Sequence, residues 1–339
     1  MMTHALTSKA AAHFRSVTND GELPPVCPWT GETMRPWLMV PGDHCQPGKS
    51  GPFQLFWSAK SEYGQLSPRP TVGEVQQFYD FPQYYTHGDD QNAAVAEAQS
   101  GLTNRVLLHL AWRTDRGAEL DSEVLGLFGS PHGHRLLDIG CGNGAFLSRM
   151  EKNGMDVVGV EPDSAAREVA RARGLRVFDG TAESMPPVLE GELFDIVVMI
   201  HVLEHVLDPI QVLSNVKSLL QPGGFAIIET PNNSALGLTL AQECWPWLDV
   251  PRHLNFFTRR SLVGACGFVG LAPVRTSFVG YSRQFCRSWQ QTESKMRYLF
   301  RPGTPGSEAV RRNAWLLLTI GNLLPRRFKY DSVRVCATG

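Results

Sequence analysis

Residues 136–144, Leu-Leu-Asp-Ile-Gly-Cys-Gly-Asn-Gly, constrain the fold of this 339-residue chain more than any other stretch. An apolar run leads into an acid and then into glycines spaced G-x-G-x-G, and a helical pattern follows. The run reads as a buried strand. The glycines let the backbone turn sharply and approach a ligand closely. A second strand, Asp156 to Val160, leads straight into Glu161. An acid about 20 residues downstream, at the tip of strand two, is where a ribose diol is gripped. The spacing departs from the G-x-G-x-x-G of dinucleotide sites, which favours a smaller nucleoside without a pyrophosphate.

The alternation continues along the chain. Strand patterns fall near 134–139, 156–160, 175–178, 194–199, 224–229, 272–279 and 332–337, with helices between the first five. Such a pattern predicts an α/β protein with a doubly wound, mostly parallel, Rossmann-like sheet. The helix after the fourth strand is well signalled: Asp208 as N-cap, Pro209 in the first turn, and Gln221-Pro-Gly-Gly224 as the stop.

Composition excludes several alternatives. Net charge is −1, so no basic field points to nucleic acid or an anionic membrane. No run of about 20 apolar residues exists to span a bilayer. Met1–Arg15 lacks the apolar core of a secretory signal. The seven cysteines are scattered without any C-x-x-C and read as reduced thiols. The expected location is the cytoplasm.

The ordered motifs of residues 134–272 resemble class I S-adenosylmethionine (SAM) methyltransferases, in particular the ubiquinone O-methyltransferase-like group. They are Leu-Asp-Ile-Gly-Cys-Gly-Asn-Gly at 137–144, Gly-Val-Glu-Pro at 159–162, Gly-Thr-Ala-Glu at 180–183 and Phe-Asp-Ile-Val-Val at 194–198. His-Val-Leu-Glu-His-Val-Leu-Asp-Pro at 201–209, Leu-Gln-Pro-Gly-Gly at 220–224, Glu-Thr-Pro-Asn at 229–232 and Pro-Arg-His-Leu-Asn-Phe-Phe at 251–257 follow, with Gly-Phe at 267–268. The resemblance implies six parallel strands plus an antiparallel seventh, for which Ser332–Ala337 fits. It implies that Gly140, Gly142 and Gly144 admit the methionine moiety and that Asp138 holds the loop and the α-amino group. Glu161 would take the ribose hydroxyls, Pro162 would lie against the adenine, and Thr181 and Ala182 would meet its edge. Tyr84 or Tyr85 would lie over the sulfonium, where a desolvated cation–π contact contributes about 1–2 kcal/mol; core packing of a helical cap is the rival reading.

His201, Glu204 and His205 follow the fourth strand at its carboxyl edge, where ligands sit. Some quinone O-methyltransferases of this group carry a divalent metal at the corresponding positions, with an acid in place of His201. The other reading makes Glu204 and His205 polar residues that hold the fold, and no metal is expected. His201, His205 and His253 are candidate general bases, because imidazole titrates near neutral pH; His201 also borders the cofactor. Trp245, Trp247 and the 252–257 segment point to a partly aromatic acceptor pocket.

Five regions are expected. Residues 1–70 resemble the N-terminal zinc ribbon of many relatives, but in degenerate form: Cys27 is the one surviving thiolate, with Thr30, Ser58 and Ser61 at the other three positions. Zinc needs about four ligands, and His44 and Cys45, as neighbours in an extended segment, would point to opposite faces. Residues 71–130 form a helical cap opened by a Thr71–Glu74 capping box. The SAM-binding core spans 131–282. Residues 283–328 form a helical insertion, expected as a cap beside the acceptor site with a homodimer contact as its rival. Residues 329–339 return to the sheet. The expected activity is methyl transfer to a small molecule, in specialised metabolism or in cell-surface sugar modification. The alternative is a cyclase that closes a ring within SAM, such as azetidine-2-carboxylate, and releases methylthioadenosine. A SAM-sensing protein without catalysis is the third class.

Overall fold

The structure is a computed structural model that describes residues 23–79, 102–303 and 306–339. Its centre is a seven-stranded sheet. The strands are β4 (Arg135–Ile139), β5 (Asp156–Val160), β6 (Val177–Phe178), β7 (Phe194–Ile200), β8 (Leu220–Pro231), β10 (Ala272–Val279) and β11 (Ser332–Thr338). Their spatial order is β10-β11-β8-β7-β4-β5-β6. β11 runs antiparallel to both neighbours and the rest of the sheet is parallel. The order reverses between β4 and β7, so the carboxyl ends of β4, β5 and β7 share one crevice, the place where open α/β sheets bind ligands.

Local chemistry explains the elements. β4 and β7 are nearly continuous apolar runs, as strands covered on both faces must be. Helix α4 (Ala145–Lys152) starts straight from the glycine turn, and α5 (Ser164–Ala172) is capped by Asp163. Helix α6 (Pro209–Ser218) has Asp208 accepting from the Ile210 and Gln211 amides, as its sequence signalled. Helix α8 (Arg259–Phe268) carries a capping box between Thr258 and Ser261. Thr71 and Glu74 make the expected capping box of α1 (Val72–Gln77).

The N-terminal segment is built into the core. Strands β1 (Arg35–Val40), β2 (Phe53–Ser58) and β3 (Tyr63–Ser67) form an antiparallel meander, and β3 pairs with β9 (Asn255–Phe256), which lies between β8 and β10 in the chain. Asn255 locks the join: its Oδ1 accepts from the Tyr63 hydroxyl at 2.6 Å and from Arg69 at 2.6 Å. Deeper still, the Arg252 guanidinium is buried between Asp43 and Asp249, at 2.9 and 2.7 Å. The Ser58 hydroxyl donates to the Glu32 carboxylate and accepts from the Ser61 hydroxyl at 2.6 Å, so a hydroxyl–carboxylate knot occupies the second ribbon-like turn. One expectation fails here. His44 and Cys45 lie in a bend, and their Nε2 and Sγ atoms come within 3.4 Å. The opposite-face rule holds for an extended strand and this segment is not one.

Between β10 and β11 lie α9 (Arg287–Phe300), α10 (Gly306–Gly321) and α11 (Arg326–Lys329). Leu317, Leu318 and Ala314 of α10 pack with Leu107 and Ala111 of α2 (Leu102–Thr114) and with Tyr281, Phe285 and Tyr330. Trp289 of α9 joins a different cluster, with Trp245, Leu248 and Phe256. No helix among the described residues is long and apolar enough to cross a membrane.

Candidate functional site

The cofactor half of the crevice is built by the β4 and β5 ends. Gly140, Gly142 and Gly144 all have positive φ, at 78°, 52° and 74°. A Cβ on Gly140 would strike Val202, and one on Gly144 would strike Leu175 and Ala170. At Gly142 a Cβ would meet nothing, so that glycine faces open space. The Gly142 amide donates to Glu161 Oε2 at 2.8 Å, and the Asp163 amide donates to Oε1 at 2.9 Å. Each carboxylate oxygen therefore keeps a lone pair for a further donor.

Asp138 and Glu161 are both buried, and burial raises both pKa values. For Asp138 the rise reaches about 7, driven by desolvation first and by the Glu161 charge second. Two buried acids acting on one another are electrostatically costly, a charge pattern that a cationic ligand would relieve.

The remaining expected cofactor contacts differ in character. Pro162 is exposed, and its carbonyl accepts from Arg167 at 2.7 Å. The Thr181 hydroxyl accepts from the Ser184 amide, and Ala182 is buried in the core, so these two shape the loop after β6. Asp179 pairs with Arg167 at 2.8 Å. Glu183, the last residue of the Gly-Thr-Ala-Glu motif and one that sequence reasoning assigned no role, ties this loop to the post-β7 turn by accepting from the Leu207 and Asp208 amides. Tyr84 and Tyr85 lie outside the described residues.

A second cluster of polar and aromatic side chains forms after β7. His201 adopts φ 56°, a strained left-handed conformation for a non-glycine residue. Its Nδ1 bonds Glu204 Oε1 at 3.2 Å. Its Nε2 sits 3.2 Å from Glu229 Oε1, as a charge pairing off the hydrogen-bond line. Burial pushes this ring's pKa down, but Glu204 and Glu229 outweigh it and raise it to about 9. Glu229, buried yet held by His201 and Arg334, falls to about 2. Carboxylate oxygens of Glu204 and Glu229 thus face the two ring nitrogens of His201. Trp247 stacks on it at 4.8 Å, and Arg283 lies over the same indole at 4.8 Å.

His205 and His253 behave oppositely. The Leu254 and Asn255 amides both donate to the Glu204 carbonyl, at 2.7 and 3.0 Å, and this docks the 252–257 segment on the 201–206 turn. The two rings meet edge to face at 4.6 Å. His205 Nδ1 donates to the Arg252 carbonyl at 3.1 Å and lies 2.9 Å from the Tyr79 hydroxyl; His253 Nδ1 donates to the Trp247 carbonyl at 2.9 Å. Each ring is therefore the tautomer with a lone pair on Nε2. Burial is the main cause that lowers both pKa values, to about 4, and each is lowered further by a neighbouring imidazole. Donor atoms of Glu204, His205 and His253 lie within 4.8 Å of one another, a grouping that could hold a metal ion. The sequence placed Glu204 and His205 side by side but gave no sign that His253 completes the group. Tyr79 was likewise missed, since only the folded chain brings it to His205.

Residues 112–276 match the family model described as methyltransferase domain. The chain is 34% identical over 183 residues to the ubiquinone biosynthesis O-methyltransferase of Ruegeria sp., covering 50% of this chain and 70% of that protein. It is 36% identical over 156 residues to the protein of the same name from Cereibacter sphaeroides, covering 42% of this chain and 62% of that protein. A SAM-dependent methyltransferase structure from Archaeoglobus fulgidus aligns with TM-score 0.44 at 19% identity, covering 74% of this chain and 100% of that one. The chain belongs to the class I SAM-dependent methyltransferases and is similar, at modest identity, to the ubiquinone biosynthesis O-methyltransferases.

Proposed function

We propose that the protein transfers a methyl group from SAM to a small-molecule acceptor bound between the post-β7 turn and the Trp247–Phe257 segment. The observation that carries this reading is the Glu161–Gly142 hydrogen bond at 2.8 Å, which joins the ribose-binding acid to the glycine turn. When bound, SAM supplies a methyl carbon already activated by its sulfonium. Glu161 orients the ribose through its two remaining lone pairs, Asp138 meets the ammonium, and the turn backbone at Gly140–Gly144 lies against the methionine chain. At the other end, Trp247 and Tyr79 wall the acceptor, and the Nε2 lone pairs of His205 and His253 accept a hydrogen bond from its nucleophilic group. In-line displacement then depends on alignment and water exclusion, which rigid placement on strand ends provides.

The relatives' names favour transfer over the ring-closing alternative. The test is product identification after incubation with SAM, with and without a panel of phenolic and other hydroxyl acceptors. S-adenosylhomocysteine formed only with acceptor is the expected result. Methylthioadenosine formed from SAM alone would replace this reading with the cyclase.

A further inference from the structure

We propose that the loop between β1 and β2 forms a binding site for a phosphate-type anion. Gly48, Lys49, Ser50 and Gly51 line one side of a cavity of about 310 Å³, and Leu299 and Phe300 at the end of α9 line the other. None of these residues is among those assigned to SAM or to the acceptor.

Three observations carry it. First, the loop holds donors that no acceptor of the chain uses. Among the described residues nothing bonds the Lys49 ammonium, the Ser50 hydroxyl or the amides of Gly48, Ser50 and Gly51. Second, the backbone is shaped to hold them together. The Lys49 amide donates to the Gln46 carbonyl at 3.2 Å across Pro47 and Gly48, and Gly48 has φ 79°, the pattern of a type II turn. Gly51 has φ 111°, and a Cβ there would come within 2.7 Å of the Gly42 Cα, so the two ends of the loop close on each other. Third, the charge balance favours an anion. Asp43 is the one acid in the lining, and Arg252 takes both its oxygens, at 3.0 and 2.9 Å. That pairing leaves the Lys49 charge unmatched within the cavity. Lys295, one turn before Leu299 on α9, adds a second positive charge whose field reaches His44 and Cys45 of the same loop.

The donor set decides the class of ligand. Backbone amides of a glycine-rich turn, joined by an ammonium and a hydroxyl, are the groups that cradle phosphate oxygens. A planar carboxylate would reach fewer of them than a tetrahedral phosphate. The run from Gly42 to Gly48-Lys49-Ser50 is longer than the spacing of a nucleotide-binding P-loop, and it leads from strand to strand with no helix after it, so the site is not of that class. Leu299 and Phe300 supply an apolar wall on which the carbon part of a phosphate ester can lie.

The test uses the full chain in a phosphate-free buffer without SAM, so its outcome is independent of methyl transfer. Calorimetry is run with inorganic phosphate and with phenyl phosphate, and circular dichroism checks the fold of each variant. Saturable binding of one probe molecule per chain is expected. Tighter binding of phenyl phosphate assigns the site to an ester, and equal binding assigns it to the free ion. K49A should weaken the probe by about tenfold or more, the scale for losing a hydrogen bond to a charged group, and S50A by less. SAM affinity should stay within about twofold in both variants, as additivity at distant sites requires. No saturable binding at millimolar probe, binding that K49A leaves unchanged, or competition between the probe and SAM would overturn the assignment.

Discussion

Glu161 Oε2 accepts the Gly142 amide at 2.8 Å, so the acid at the tip of β5 and the middle glycine of the turn after β4 form one rigid unit. Gly142 has φ 52° with open space where a Cβ would go, whereas Gly144 has φ 74° with Leu175 and Ala170 in the way. G142A should therefore cost about 1–2 kcal/mol of backbone strain and weaken SAM binding. G144A should lower stability further, because steric overlap adds to the strain. Thermal melting of the two variants, with and without SAM, checks the order. A G142A protein less stable than G144A would contradict it.

SAM binding should depend on pH through Asp138. Its pKa in the free protein is raised to about 7, by burial and then by Glu161. A raised carboxyl pKa favours the folded state at low pH, and that contribution fades as pH rises through about 7. The ionised form is the one that attracts the ligand's ammonium. Affinity should then rise between pH 6 and 8, and SAM should raise the melting temperature more at pH 8 than at pH 6. A flat affinity profile across that range would remove Asp138 from the site.

Half of this site could be read along the chain and half could not. Asp138, the glycine turn and Glu161 are neighbours in a strand–turn–helix–strand unit, so local pattern placed them. Strand positions along the chain and the capping residues Thr71 and Asp208 were also local signals. The half proposed to hold the acceptor depends on pairings across long stretches of chain. β3 joins β9, Arg252 reaches Asp43, and Tyr79 reaches His205. Nothing in the spacing of residues 23–79 reveals that they complete a sheet begun near residue 255. His201 shows the limit of residue type as a guide: its two ring nitrogens face Glu204 and Glu229, and folding alone brings the second of these to it.

The N-terminal meander should not be removable. Arg252 is buried and shared by Asp43 and Asp249. Asp43→Ala leaves that guanidinium short of a partner, and breaking a buried pair costs about 3–5 kcal/mol. Denaturant unfolding should show a loss on that scale. A change below about 1 kcal/mol would mean the meander contributes little to the core.

Trp289 of the insertion packs edge to face on Trp247 at 5.8 Å, and Trp247 stacks on His201. Trp289→Ala should lower kcat/KM for the acceptor by about tenfold or more, on the scale of small misplacements near the chemistry. SAM affinity should stay within about twofold, since additivity holds for distant sites. Steady-state kinetics beside calorimetry separates the two. Equal losses in both would deny the insertion a role at the acceptor end.

Isothermal calorimetry of SAM against the wild type and Glu161→Ala tests the central claim most directly. Wild type should bind one SAM per chain. The variant should lose about 1.5–3 kcal/mol, the scale for charged hydrogen bonds. No binding by the folded wild type, or unchanged affinity in the variant, would contradict the assignment of this crevice to SAM.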